Sequence, residues 1–478
     1  MVQAFVIAVF VVVLAGGATG GEGVVGAPWW RVAGSLLPYV GIWGVMALGC
    51  RASVRRLDRT GNPRAIGTAE RIVLGGRIAA IVWHGVAVFG LGELDGVRAI
   101  VGDWVAVDEL MVVAAPLAVI AAGFALMDPF ERRVRDAVLL RRLDAGETIV
   151  MPAKARGTLS LGVRHHILFV GLPLAVIMAW GECVDRAWAH FGWSGREWLG
   201  AGAQLAGALT VFVLTPAVMR RVWHTFPLPA GELRDRLCEL GTRHRVRFRD
   251  LLVWDTGGVQ TNGAVMGLVG RLRYVLLTDA LLERLREREV EAVMAHEVGH
   301  VRRHHMVWLG VSVLATVMVV GTPLGWGVGI AATAFGLGQG AVTAADTASL
   351  VLTLAAALGV LGFVSRRFEW QADAFALQHL SGWTEHERGV AITPESAQAM
   401  GGALLRVAHL NGIDTGKFTW RHGSIGTRLR KLRGAVGRPA DRLRADRDAR
   451  AVKWAALAAF VVGAGLTAVE IALGLLAR

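Results

Sequence analysis

Cysteine is scarce in this chain. Three cysteines occur in 478 residues, at Cys50, Cys183 and Cys238, and no two of them form a Cys-x-x-Cys pair. A disulfide framework and a sulfur-ligated zinc site both require closely spaced cysteines, so neither is indicated. A metal bound by this chain must therefore rely on histidine and carboxylate side chains.

Charged residues are also few. They make up 19% of the chain against 54% hydrophobic residues, which is unlike an ordinary soluble domain. Apolar runs of about 17 residues or more are long enough to cross a bilayer as helices. The sequence predicts about nine spans, at residues 2–19, 32–50, 78–92, 111–127, 167–181, 198–219, 306–345, 347–364 and 454–476.

Some of these runs depart from a simple span. Residues 306–345 exceed the length of one crossing, and their Gly-Pro-rich middle at 321–329 predicts a bend or a re-entrant piece. Residues 2–19 are expected to be a span rather than a signal peptide, because a basic leading region and a convincing cleavage site are lacking. Glu470 interrupts the last run.

Arginine and lysine are distributed unevenly among the predicted loops. Residues 51–71 and 132–164 are rich in them, whereas 93–109 carries mainly acidic residues. Because basic loops stay on the cytoplasmic side, nine spans with the N-terminus inside place both long polar segments there. These segments are residues 220–305 and 365–453.

The net charge of +13 follows from the same boundary arginines. No aromatic platform is interleaved with them, so nucleic acid is not a predicted partner. Anionic lipid headgroups are the predicted partner instead. The densest basic run, 421–453, leads directly into the last span, where a lipid-contacting helix and a plainly solvated helix remain equally open.

Residues 296–300 read His-Glu-Val-Gly-His. On a helix, His296 and His300 lie one above the other and present two imidazoles to one metal ion. Two neutral imidazoles suit Zn²⁺, and the adjacent Glu297 is placed to take a proton from a water acidified by the metal, which predicts hydrolysis. The alternative is a solvated surface helix, but the valines interspersed from 290 to 301 indicate a half-buried one.

The polar segment before this motif predicts a small sheet. A helix is expected at 227–244, short strands at 246–252, 262–267 and 273–277, and one continuous helix from 280 to 305. An edge strand beside the metal helix would pair with an extended peptide through its backbone, and Asn262 is the candidate substrate contact. The alternative role of the sheet is support of the helix alone.

A catalytic zinc usually takes three protein ligands and one water. Two apolar crossings separate His300 from Glu369, so the chain returns to the same membrane face and Glu369 becomes the candidate third ligand. Asp373 lies one turn further on, where its carboxylate would accept the free N–H of a ligating imidazole. The alternative for Glu369 is a boundary carboxylate paired with Arg366.

Four segments resemble blocks of the integral-membrane zinc metallopeptidases that include the CAAX prenyl endopeptidase and the bacterial stress protease HtpX. The resemblance spans about 246–432, and the segments are residues 273–282, 287–300, 365–376 and 421–429. It implies a zinc site formed by His296, His300 and Glu369, with Glu297 as the base and Asp373 behind the ligands.

The same resemblance assigns catalytic roles to two further residues. His422 would steady the tetrahedral intermediate, and Arg428 would stand beside it in a block that usually reads His-Pro-Pro-Leu-x-Glu-Arg. In this chain Gly423 and Ser424 replace the prolines, and Thr427 replaces the glutamate.

These observations predict a mostly helical, polytopic membrane bundle with a zincin-like catalytic region containing a small β-sheet. Its parts are expected to be an N-terminal membrane region of about six spans, a catalytic segment, a two-span hairpin, a second catalytic segment and a C-terminal span, at residues 1–219, 220–305, 306–364, 365–453 and 454–478.

The predicted function is that of a zinc endopeptidase holding one Zn²⁺ per chain. It would act at the cytoplasmic face of a bacterial-type inner membrane on membrane-associated or misfolded polypeptides. Two alternatives remain open at this point: an inactive membrane scaffold or sensor, and a signalling protease with a single partner substrate. The sequence predicts no oligomeric state.

Overall fold

The computed structural model describes residues 8, 11, 12, 28–144, 168–193, 197–258, 260–384 and 389–476. Two compact units divide the chain, Met1–His224 and Thr225–Arg478. All but three residues of the predicted span 2–19, and the basic residues of the 145–167 loop, lie outside the described residues.

The first unit is built from helices. α1 packs against α2 and against the long α4, with the short α3 also lying on α1. Buried polar groups pair inside the unit: Ser35 donates a hydrogen bond of 2.8 Å to Glu93, and Arg98 contacts Asp108 and Glu109 at 2.6 Å each. The helices are α1 Pro28–Thr60, α2 Arg64–Gly85, α3 Glu93–Val101, α4 Val107–Asp144, α5 Phe169–Phe191 and α6 Glu197–Val222.

The second unit contains a four-stranded sheet. Its order is β1-β2-β4-β3, in which β2 and β4 are parallel and the two outer pairs are antiparallel. The three predicted strands are present with shifted ends, and a fourth, β1, precedes them. Three residues are too few for an alternating pattern to reveal β1. The strands are β1 Thr225–Pro227, β2 Asp250–Trp254, β3 Gly263–Met266 and β4 Tyr274–Thr278.

Nine helices accompany this sheet in the described part of the second unit. α12 packs against α9, α10 and α15, and α9 also contacts β3 at the sheet edge. The helices are α7 Glu232–Arg243, α8 Asp279–Arg284, α9 Glu287–Arg302, α10 His305–Thr316, α11 Thr322–Phe335, α12 Gln339–Leu380, α13 Pro394–Leu410, α14 Ile425–Arg433 and α15 Arg444–Leu476.

The predicted continuous helix from 280 to 305 is wrong, because the chain breaks it twice. Arg286 is extended and begins α9, where Glu289 accepts a hydrogen bond of 3.0 Å from the Arg286 backbone N–H. His304 has a φ of 55°, in the left-handed region, and separates α9 from α10. The helix axis therefore changes direction just after the metal motif.

Between α10 and α11 lies a π-helical turn, Val317–Gly321, just before Pro323. Proline lacks the N–H that a regular helix would use, and a wider turn is one way in which a helix accommodates that loss. This turn adjoins the Gly-Pro-rich stretch where the sequence predicts a bend.

Seven helices of the described residues are long and apolar enough to cross a membrane, four in the first unit and three in the second. The sequence predicts about nine spans; residues 167–181 correspond to α5, which is helical but is not among the seven. The predictions of a mostly helical, multi-pass bundle and of a small sheet are confirmed.

The hydrophobic core of the second unit joins the sheet to α9 and α12. Val275, Met294, Val298 and Phe375 are each at most 3% exposed and belong to one cluster. Gly299 makes the close approach of the two helices possible, since a Cβ there would lie 3.1 Å from the Cβ of Phe375. Helix α12 is thereby held against the metal motif of α9.

Candidate metal centre

Two imidazoles meet on α9. Its apolar face is buried in the core, so the histidines one helical turn apart turn toward α12. The Nε2 atoms of His296 and His300 lie 3.2 Å apart. Two ring nitrogens at this distance can both bind one metal ion.

Glu369 on α12 completes a triangle with these nitrogens. Its Oε2 lies 3.6 Å from Nε2 of His296, and its Oε1 lies 3.7 Å from Nε2 of His300. Ligand atoms held at about 2.0–2.2 Å by a tetrahedral zinc are about 3.3–3.6 Å from one another. The three side chains therefore fit one Zn²⁺, and within the described residues they are the one such group of His, Cys, Asp and Glu.

The pKa values of the two imidazoles shift in opposite directions. Nδ1 of His296 lies 3.0 Å from Oδ1 of Asp373, and this carboxylate outweighs burial and raises the pKa of His296. Burial, assisted by neighbouring His296, lowers the pKa of His300 to about 4. His300 is thus a neutral imidazole at physiological pH, as a metal ligand must be.

Arg428 of α14 lies behind the triangle. Its Nε and Nη2 donate to Asp373 at 2.8 and 2.6 Å, and its Nη1 lies 3.3 Å from Oε2 of Glu369. Burial lowers the pKa of Arg428, but Asp373 and Glu369 reverse the effect and raise it above the ordinary value. One guanidinium therefore serves two of the carboxylates.

The ionised side chains of this cluster carry more negative than positive charge, which a metal cation would neutralise. Glu297, Glu369 and Asp373 carry three negative charges when ionised, and Arg428 supplies one positive charge. With both imidazoles neutral, as in a metal-bound site, a divalent cation held by the triangle would balance the remaining two. The donor set and the local charge thus both fit Zn²⁺.

Glu297 lies between the triangle and the sheet edge. Burial raises the pKa of its carboxyl to about 7, and Glu369 adds to the rise, against opposing effects of His296, the Val265 backbone and Arg428. A Cβ at Gly263 would lie 2.7 Å from Cγ1 of Val293 and 3.8 Å from Cγ of Glu297. Glycine at this position lets β3 pack directly on α9.

His422 also reaches the cluster. Its Nδ1 lies 2.9 Å from Oε1 of Glu369, although 55% of the side chain is exposed. The following Gly423 has a φ of 75°, which proline cannot adopt, so this turn differs from the Pro-Pro turn of the resembled block. The histidine nevertheless faces the proposed ligand.

The structure brings the predicted site residues together with one exception. Asn262 is exposed at the start of β3, and its backbone N–H and carbonyl pair with Thr278. Arg366 donates to the carbonyl of Trp420 at 2.7 Å, so its nearest polar partner is not Glu369. The group that meets at the triangle is His296, Glu297, His300, Glu369, Asp373, His422 and Arg428.

The sequence did not predict a role for His305. Its Nδ1 lies 2.8 Å from Nδ1 of His300, and its Nε2 lies 2.9 Å from Oε1 of Gln371. On a continuous helix, a residue five positions after His300 points to another face. The break at His304 turns the side chain of His305 back toward His300. The only sign of this role in the sequence is a further histidine close behind the motif.

Comparison with known proteins identifies this part of the chain. Residues 232–436 match the model of peptidase family M48. These residues form an M48 peptidase domain. The predicted resemblance to zinc metallopeptidases is thereby confirmed, and all the residues of the triangle lie inside the M48 segment.

Two curated relatives share part of the sequence. A CAAX prenyl protease 1 homolog of Arabidopsis thaliana is 29% identical over 181 residues, which are 36% of this chain and 42% of the relative. One of Oryza sativa subsp. japonica is 29% identical over 185 residues, which are 37% and 43%. The chain thus spans less than half the length of these relatives.

A crystal structure of S. mikatae Ste24p is also similar. The match has a TM-score of 0.41 and 16% sequence identity, and it covers 86% of this chain and all of that one.

Proposed function

We propose that this protein is a membrane-embedded zinc endopeptidase whose M48 segment binds one Zn²⁺ through His296, His300 and Glu369. The observation that carries the proposal is the set of ligand atoms, in which the two Nε2 atoms lie 3.2 Å apart and lie 3.6 and 3.7 Å from the two oxygens of Glu369, with three carboxylates opposed by one guanidinium. Family membership of the segment supports the choice of metal and of peptide hydrolysis.

Zn²⁺ bound there would polarise the substrate carbonyl group and lower the pKa of a water to about 7. Glu297 takes the proton of the attacking water and delivers it to the leaving amine nitrogen. A carboxylate at this position can do both, since it accepts the proton as a base and returns it as an acid. The peptide C–N bond breaks as the proton arrives.

The remaining polar residues position the metal ligands or stabilise charge on the substrate. His422, beside Glu369, donates a hydrogen bond to the substrate carbonyl oxygen, on which negative charge develops. Arg428 does not face the reacting atoms in this assignment; it holds Asp373 and Glu369, which in turn orient His296 and complete the ligand set.

Strand β3 is the proposed docking edge for the substrate. It pairs with β4 on one side, forms an edge of the sheet and packs on α9 next to Glu297. An extended peptide added at such an edge binds through its backbone with little dependence on sequence. Asn262, exposed at the start of β3, is the proposed side-chain contact.

The arginine distribution supports an orientation with residues 220–305 and 365–453 at the cytoplasmic face of a bacterial-type inner membrane, separated by a two-span hairpin. The basic residues of 421–453 would contact anionic headgroups. Membrane-associated or misfolded polypeptides are the proposed substrates, since both reach that face.

Glu297→Gln tests the mechanism. The substitution removes the base and no metal ligand, so the purified variant should bind one zinc per chain and lose cleavage of casein by several orders of magnitude. Wild-type protein stripped of zinc is the matched control and should recover activity when zinc returns. Cleavage by Glu297→Gln at a near wild-type rate would refute the role of this residue.

A further inference from the structure

His305 is buried next to a proposed zinc ligand and has a partner on each ring nitrogen. Its ring stacks on Phe368 with centroids 4.3 Å apart and planes 3° from parallel. Nδ1 faces Nδ1 of His300 at 2.8 Å, and Nε2 faces Oε1 of Gln371 at 2.9 Å. The ring is therefore fixed in position and in rotation.

Gln371 continues the contact to Asp446. Its amide nitrogen donates to Oδ1 of Asp446 at 2.7 Å, while Gln378 donates to Oδ2 of the same carboxylate at 2.9 Å. A carboxylate only accepts hydrogen bonds. Gln371 must therefore turn its NH₂ toward Asp446 and its carbonyl oxygen toward His305.

This orientation of the Gln371 amide determines which ring nitrogen carries the proton in His305 and in His300. The Gln371 oxygen accepts, so Nε2 of His305 carries the proton and its Nδ1 is bare. A bare Nδ1 can only accept from His300, so the proton of His300 is on Nδ1. Its Nε2 is then left with a lone pair directed at His296 and Glu369.

We propose that His305, Gln371 and Asp446 form a relay that fixes the tautomer and ring orientation of His300 for metal binding. The inference rests on the zinc site proposed above and adds positioning residues to it. His296 has a carboxylate, Asp373, directly behind it, whereas His300 reaches its carboxylate through a histidine and an amide. Partners of this kind typically change metal affinity by about 10- to 100-fold when removed.

The relay joins four helices of the second unit. His300 is on α9, His305 on α10, Gln371 on α12 and Asp446 on α15. Zinc affinity should therefore respond to a side chain on α15, although no proposed ligand is on that helix.

The test uses the full chain in detergent, with zinc Kd measured by chelator competition and the stability of the metal-free protein measured by thermal unfolding. His305→Phe keeps a flat ring against Phe368 and removes both nitrogens, and Gln371→Met keeps the length of the side chain. Both should weaken zinc by about 10- to 100-fold. Cobalt-substituted His305→Phe should also show a shifted visible spectrum, because the His300 ring is no longer held.

Gln378→Met is the matched control. Gln378 lies on the same helix as Gln371 but does not contact His305. The substitution removes a hydrogen bond to the same Asp446. Its zinc Kd should equal that of the wild type. A loss as large as that of Gln371→Met would show that Asp446 acts through general packing and would overturn the relay.

An exchange of acid and amide gives a rescue. Asp446→Asn alone should weaken zinc, because Gln371 can then reverse its amide. Adding Gln371→Glu restores an acceptor toward His305 and a donor at 446, so the double variant should recover most of the affinity. Failure of the double variant to recover, or wild-type Kd in His305→Phe, would overturn the relay. Wild-type protein that binds no zinc would instead refute the zinc site itself.

Discussion

Asp373→Asn tests how strongly the carboxylate behind His296 supports the zinc site. The substitution keeps the size of the side chain and removes one negative charge. In the wild type, Asp373 lies 3.0 Å from Nδ1 of His296 and accepts from Arg428 at 2.6 and 2.8 Å. An asparagine presents its NH₂ to one of these donors, so at least one contact is lost.

The magnitude follows from those contacts. A hydrogen bond to a charged group contributes about 1.5–3 kcal/mol, and about 1.4 kcal/mol corresponds to a tenfold change in affinity. Zinc Kd should therefore rise by about 10- to 100-fold. Arg428 keeps Glu369 but loses its ion pair with Asp373, and breaking a buried pair costs about 3–5 kcal/mol, so the metal-free protein should also unfold at a lower temperature.

Chelator competition and thermal unfolding of the purified protein in detergent measure the two effects. Asp250→Asn is the control, because Asp250 pairs with Arg234 at 2.7 Å away from the metal centre; it should leave zinc Kd unchanged. A double variant with Arg428→Gln should lose less stability than the two single changes together, by about 0.5–3 kcal/mol. Wild-type zinc affinity in Asp373→Asn would refute the assigned role of this residue.

Three further predictions concern the third ligand, the pH dependence of stability and the membrane orientation. Glu369→Ala should lose zinc and activity together, and stoichiometric, tightly held zinc in that variant would exclude Glu369 as a ligand. In metal-free protein, the raised pKa of Glu297 means that its stabilising effect is complete below about pH 4.5 and is lost as the pH rises through about 7. Metal-free Glu297→Gln should therefore unfold at a higher temperature than wild type at about pH 8 and at a similar one near pH 5, and parallel pH profiles would contradict the burial of this carboxyl. A phosphatase fused after His244 should be inactive and one fused near Asp103 active, whereas the opposite pattern would reverse the proposed orientation.

The centre of the site was predictable because its information is local. The spacing of His296 and His300 alone puts both rings on one helical face, and Glu369 with Asp373 repeats that spacing on a second helix. Two apolar crossings separate the two motifs in the sequence, so both motifs are expected at the same membrane face.

The surroundings of the site were not predictable for physical reasons. The role of His305 depends on one left-handed residue, His304, which no periodicity reveals. Asp446 acts through an amide whose orientation only the packed helices define. Strand β1 is three residues long and pairs with β2, so its formation depends on tertiary contacts rather than on its own sequence.

The dispersal of the metal-binding group along the chain has a consequence for biosynthesis. The ribosome completes α9 before α12 and α14, so an emerging chain displays two histidines with no third ligand and no guanidinium. The centre assembles only after the α11–α12 hairpin is made and Arg428 has followed. Under the proposed function, a nascent chain would therefore lack a complete catalytic centre until Arg428 has been translated.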